Sequence, residues 1–131
     1  MLDSNPEVQS DSRVPRETVK LISCIVNNEK VERELLQALY DEQQMTRVNS
    51  VNCRGYASLF EARAKVGTLP QPHFSHLIEV VVSQADADAL FDFIFRKAGL
   101  DKPGAGIVFM APLYAASHFT LPDEVLQEKR D

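Results

Sequence analysis

Apolar and polar positions change period repeatedly along this chain. Thr18-Val-Lys-Leu-Ile-Ser-Cys-Ile-Val26 is rich in β-branched residues. Val19, Leu21, Ser23 and Ile25 share one face and Ile22, Cys24 and Val26 the other, so the run predicts a largely buried strand. Asn27-Asn28 then offers an N-cap, and Val31, Leu35, Ala38 and Leu39 recur at i, i+4, i+7 and i+8, the spacing of one helical stripe. A helix is predicted over about 29–43. Residues 45–53 return to alternation, a strand with one solvent face that Gly55 ends or bends. Residues 75–82 predict a third strand, with Ile78, Val80 and Val82 on one face and Leu77, Glu79 and Val81 on the other. A second helix is predicted to open at Ser83, with Asp86 and Asp88 in its first turns, a stripe of Ala87, Leu90, Phe91, Ile94 and Ala98, and Arg96, Lys97 and Gly99 at its close. Residues 107–113 supply the last strand.

The resulting order, β-α-β-β-α-β, predicts an α+β ferredoxin-like domain in which a four-stranded antiparallel sheet carries two helices on one face. The other sheet face is then too apolar to stay solvated, which predicts packing against further copies in a closed oligomer, a homotrimer. Residues 1–16 hold Pro6 and Pro15 with Ser, Asn and mixed charge but no apolar period, and predict a flexible extension outside the fold. The domain proper is expected over 17–121, with a charged tail over 122–131. Within it, residues 55–74 carry Gly67, Pro70 and Pro72 and no clean period. Connections of that length in compact domains tend to be functional, so a ligand-covering or partner-contacting arm is expected there.

Composition narrows the function classes. At 131 residues, with 44% hydrophobic and 25% charged residues, the chain suits one globular domain with a real core. A net charge of −5 argues against broad nucleic-acid binding, which needs a basic surface to displace counterions from phosphates. No apolar run is long enough to span a bilayer and the first residues are polar and acidic, which predicts a cytoplasmic protein. Cys24 and Cys53 lack metal or redox spacing and are expected to be plain thiols. No Ser-His-Asp or Cys-His grouping stands out, and Asp86 and Asp88 are explained by a helix N-terminus, so no catalysis is expected.

The chemistry that does stand out is a turn, Gly99-Leu-Asp-Lys-Pro-Gly-Ala-Gly106, running straight into the last strand. Gly104 and Gly106 permit positive φ and let successive N–H groups face one point, as an anion-binding concavity requires. Together with Met45-Thr46 leading into a strand that ends at Gly55, the long insertion before Ile78-Glu-Val-Val-Val82, and Lys102-Pro-Gly-Ala-Gly-Ile-Val-Phe-Met-Ala-Pro112, this turn resembles the nitrogen-regulatory PII signalling superfamily over residues 19–113. The resemblance implies a ferredoxin-like trimer that binds adenine nucleotides in clefts between subunits. It also implies a mobile arm, the T-loop, that engages a regulated protein such as a membrane transporter or metabolic enzyme, and a glycine turn, the B-loop. Carried onto this sequence, Gly55 stands at the base of the arm, Gly104 and Gly106 present N–H groups to phosphates, Lys102 opens the turn, and Thr46 belongs to the adenine pocket.

The departures bear on the ligand. The family turn reads Gly-Asp-Gly-Lys, whereas Ala105 and Ile107 occupy the Asp and Lys positions here, and where the family carries two arginines after the last strand, Ser117-His-Phe-Thr120 offers His118 alone. Charge-assisted hydrogen bonds are roughly twice as strong as neutral ones. Losing those cations therefore favours ADP, AMP or a simple anion such as bicarbonate over ATP. No tyrosine lies within 57–74, so modification of an arm tyrosine does not carry over. Arg54, Arg63 and Lys65 on or beside the arm are the available substitute cations. A second reading, from another class, is a ferredoxin-like oligomeric metal-binding protein resembling divalent-cation tolerance proteins, with His73, His76 or His118 as ligands.

Overall fold

The computed structural model describes residues 14–55, 73–119 and 122. The expected extension, apart from its last residues, falls outside this range, as do most of the arm and most of the charged tail. The chain runs through β1 (Arg16–Glu17), β2 (Val19–Val26), α1 (Glu29–Asp41), β3 (Val48–Gly55), β4 (His73–Ser83), a 3-10 turn (Gln84–Asp86), α2 (Ala87–Lys97), β5 (Gly106–Pro112) and β6 (Ala116–Ser117). The main sheet has the order β3-β4-β2-β5, all neighbours antiparallel, and β1 pairs β6 in a separate two-stranded ribbon. This is the α+β, βαββαβ architecture that the alternating periods predict. The ribbon is an addition: Arg16, assigned from sequence to the extension, pairs with Ser117, so the fold begins earlier than the loss of periodicity implies.

Strand alternation divides the sheet into two unlike faces. Ile22, Cys24 and Val26 of β2 and Ile78, Val80 and Val82 of β4 are all within 1% of complete burial and pack with Leu35 and Leu39 of α1 and Leu90 and Ile94 of α2. Fully burying an aliphatic side chain contributes about 1.5–3 kcal/mol, so this interdigitated layer supplies most of the fold's stability. On the other face Leu21, Ile25, Leu77 and Val81 stay half-buried, and Val51, Ile107 and Phe109 are exposed.

The element ends differ from the sequence expectation for identifiable reasons. The first helix stops at Asp41, not 43, because Gln44 takes a left-handed φ of 54° and the Gln44 and Met45 amides turn back to Tyr40 and Leu39 carbonyls. Met45, expected in a strand, is instead a buried core residue between α1 and β3. Ser83 closes β4 and does not open α2; its hydroxyl donates to Asp86 Oδ2 at 2.9 Å. Gly99, with φ of 66°, ends α2: its amide bonds Arg96 O and the Leu100 amide bonds Phe95 O, a Schellman pair that drives Leu100 into the core.

Candidate functional site

The glycine turn is built by its sequence. Pro103 pre-sets φ at the second position of a turn closed by the Ala105 amide donating to Lys102 O at 3.2 Å, and Gly104 accepts the third position with φ of 78°, a type II pattern. Asn27, in the β2–α1 junction, donates from Nδ2 to Gly104 O at 3.3 Å. With its carbonyl held there, Gly104 is exposed, and its N–H bonds no described residue. Lys102 is exposed, with Nζ folded back over Gly99. Gly106 has a different reason to be glycine. A Cβ there would stand 2.1 Å from Ile25 O, so this residue lets β5 close onto β2.

Strand register places the remaining candidates. Asn52, His76, Val26 and Gly106 form one row across the sheet. Strand spacing of about 4.8 Å puts His76 and Gly106 about 10 Å apart on the backbone. Gly55, three residues beyond Asn52 on β3, belongs to this same end. Here His76 Nδ1 lies 2.9 Å from Asn52 Oδ1 and 3.2 Å from Glu32 Oε1 on α1, while Ser50 Oγ donates to Glu32 Oε2. This network has no counterpart in the sequence expectation. Residues 32, 50, 52 and 76 show no local spacing, and only the sheet register and the position of α1 bring them together.

Thr46 and His118 lie elsewhere. Arg47 O accepts from the Val81 amide, and Val81 pairs with Leu21, five residues along β2 from the Val26 row, or about 17 Å. Thr46 is half-buried beside it. Glu17, just before β2, joins Arg47 Nη1 at 3.4 Å, with both side chains 9% exposed, and holds His118 Nδ1 at 3.6 Å. The six sequence candidates therefore form two groups at opposite ends of the sheet: Gly55, Lys102, Gly104 and Gly106 at one, Thr46 and His118 at the other. The basic residues Arg63 and Lys65 lie outside the described residues, and Arg54 is exposed on β3. Among the described residues no three His, Cys, Asp or Glu side chains gather as a metal site would require. Burial pushes the Cys24 thiol up to about 11.

No family model matches the sequence, and no curated protein is significantly similar to it. Among solved structures, PII of Arabidopsis thaliana bound to citrate matches with a TM-score of 0.56 and 18% sequence identity, over 74% of this chain and 78% of that one. The chain has a PII-like fold. At that identity the likeness is one of architecture. The PII-like fold accounts for the element order and the helices gathered on one sheet face. Among the described residues, no helix is long and apolar enough to cross a membrane.

Proposed function

We propose that this chain is a PII-like signalling protein that binds a small anionic effector, ADP or AMP in preference to ATP, or a simple anion such as bicarbonate, at clefts between copies of itself. The observation that carries the reading is the glycine turn. Its carbonyl is tied back by Asn27, Gly104 is exposed, and its N–H bonds no described residue, an arrangement suited to receiving a phosphate or carboxylate oxygen. The separation of the candidates supports a composite site. On one protomer, no phosphate-sized ligand touches both ends of the sheet, so a shared site requires a neighbour whose own Thr46 and His118 approach this protomer's Gly104. Exposed Ile107 and Phe109 beside half-buried Leu21 and Ile25 make the open face suitable for packing against a neighbour, and a closed trimer is the expected assembly.

The protein acts in the cytoplasm by conformational bias and has no catalytic role. Effector binding favours one arrangement of the arm over 55–74, which then engages or releases a regulated transporter or metabolic enzyme. A differential affinity of about 1.4 kcal/mol shifts such an equilibrium tenfold. Nitrogen control is the family's theme, but the chemistry of the turn fits any metabolic signal carried by a small anion.

Calorimetric titration with ATP, ADP, AMP, cyclic AMP, 2-oxoglutarate and bicarbonate tests the reading. Saturable binding of ADP or AMP, weakened in Lys102→Ala and His118→Ala, is the expected result. Silence across the panel overturns it. Light scattering of the same sample should give three chains per particle, and a monomer would remove the composite site.

A further inference from the structure

We infer that Asn27 and Glu32 are positioning residues that fix the glycine turn and the neighbouring parts of β3 and β4 to a single element, the first turn of α1. The bonds form an unbroken series. Asn27 Nδ2 holds Gly104 O at 3.3 Å. The next residue, Asn28, caps α1, accepting at Oδ1 from the Lys30 amide at 2.8 Å and the Val31 amide at 3.2 Å. Its carbonyl accepts from the Glu32 amide at 3.0 Å. The Glu32 carboxylate then divides between two strands, accepting from Ser50 Oγ of β3 and facing His76 Nδ1 of β4 at 3.2 Å, and the same Nδ1 reaches Asn52 Oδ1 of β3 at 2.9 Å.

The geometry gives this series leverage. An N-cap sets the angle at which the chain enters a helix, so Asn27 and Glu32 sit on the two sides of one rigid joint. The side chains of Glu32 and His76 are 13% exposed, which limits the replacement of their contacts by water. A displacement of Gly104 is passed through Asn27 to the cap and through Glu32 to Ser50 and His76, on the two strands that flank residues 56–72 in the sequence. Loss of either positioning side chain uncouples the turn from the strands while leaving the helix-facing core intact. The consequence for effector response rests on the reading proposed above; the coupling itself does not.

Amide hydrogen exchange on the full chain, without any ligand, tests the coupling. In Glu32→Ala, exchange of the Ala105 amide quickens several-fold although residue 32 does not touch it, and in Asn27→Ala the amides of residues 53 and 76 quicken likewise. The amides of Leu90 to Ile94 in α2 keep wild-type rates in both, which separates the effect from global destabilisation. The Glu32→Gln variant, which preserves size and hydrogen-bonding capacity, gives an intermediate result. Changes confined to each variant's own contacts overturn the inference. ADP titration adds a second arm: both single variants weaken binding several-fold, and the double variant weakens it by less than the product of the two. Multiplicative losses also overturn the inference. If wild-type protein does not bind ADP, the nucleotide form of the effector reading fails and the exchange result still decides the coupling.

Discussion

Both faces of the sheet carry large apolar side chains, yet only one is covered by the helices. On β4, Ile78 and Val80 are fully buried under the helices while their immediate neighbours Leu77 and Val81 are half-buried, and on β5 Ile107 and Phe109 are exposed. Hydrophobicity alone does not distinguish the covered face from the open one; what distinguishes them is which element arrives to cover each face. Removing Ile78 to Ala is expected to cost about 2–5 kcal/mol in denaturant unfolding, because a well-packed layer leaves a cavity behind. Phe109→Ala should cost the protomer under about 1 kcal/mol, as for a surface site, yet shift the proposed trimer towards monomer in sedimentation. Equal losses of protomer stability in the two variants would erase the distinction between the faces.

A second contrast lies within the turn. Gly106→Ala places a methyl group 2.1 Å from a backbone oxygen that has no room to move without breaking the β2–β5 pairing, so a destabilisation of ~3 kcal/mol is expected. Gly104 has open space around it, and Gly104→Ala meets only the cost of a left-handed alanine, about 1–2 kcal/mol. Thermal unfolding orders the two. Nucleotide or anion affinity should fall in Gly104→Ala beyond what its stability explains, since a Cβ disfavours the positive φ in which the turn presents its N–H.

The cysteines give a third contrast between the faces. Cys24 faces the helices and Cys53, half-buried, is on β3 with its side chain on the open face, opposite Ser75. Burial pushes the Cys24 thiol from 9.0 to about 11, so its thiolate is scarce at neutral pH, and a thiol reagent should label Cys53 while Cys24 reacts only on unfolding. The sign for stability follows from the unfolded chain ionising first. Between about pH 9 and pH 11 the unfolded state holds fewer protons, so the Cys24 contribution is complete below pH 9 and is lost as pH rises towards 11. Cys24→Ala should flatten that stretch of the stability profile.

Much of this was legible in the sequence because it is local. The periods of β2 and β4, the Asn28 cap and the Gly99 stop are short-range signals, and each reappears in the structure. Gly104 was readable as a turn glycine, since Pro103 precedes it. The positive φ of Gly106 was readable too, but its proximity to Ile25 O was not, since that depends on the register of β5 against β2, which no local pattern encodes. The same limit hid the Glu32, Ser50, Asn52 and His76 network, and it hid the β1–β6 ribbon, whose two-residue strands are too short to show a period.

The ends of the two helices give the last and smallest test. Both close with a residue in the left-handed region, Gly99 after α2 and Gln44 after α1. Glycine adopts that conformation without a Cβ penalty, whereas an L side chain there costs about 1–2 kcal/mol. Gln44 is exposed, and the bonds it supports, its own amide to Tyr40 O at 3.1 Å and that of Met45 to Leu39 O at 3.0 Å, involve main-chain atoms only. Gln44→Gly therefore keeps the cap and removes the strain, offset in part by the greater freedom of glycine in the unfolded chain. A net stabilisation of up to about 1 kcal/mol is expected in denaturant unfolding. Gly99→Ala, the reverse change, should lose about as much, and its loss should be the greater because the Schellman bond it disturbs also seats Leu100 in the core. If Gln44→Gly destabilises, then its side chain makes the exit from α1 more than the backbone does, and the two helix ends are not equivalent.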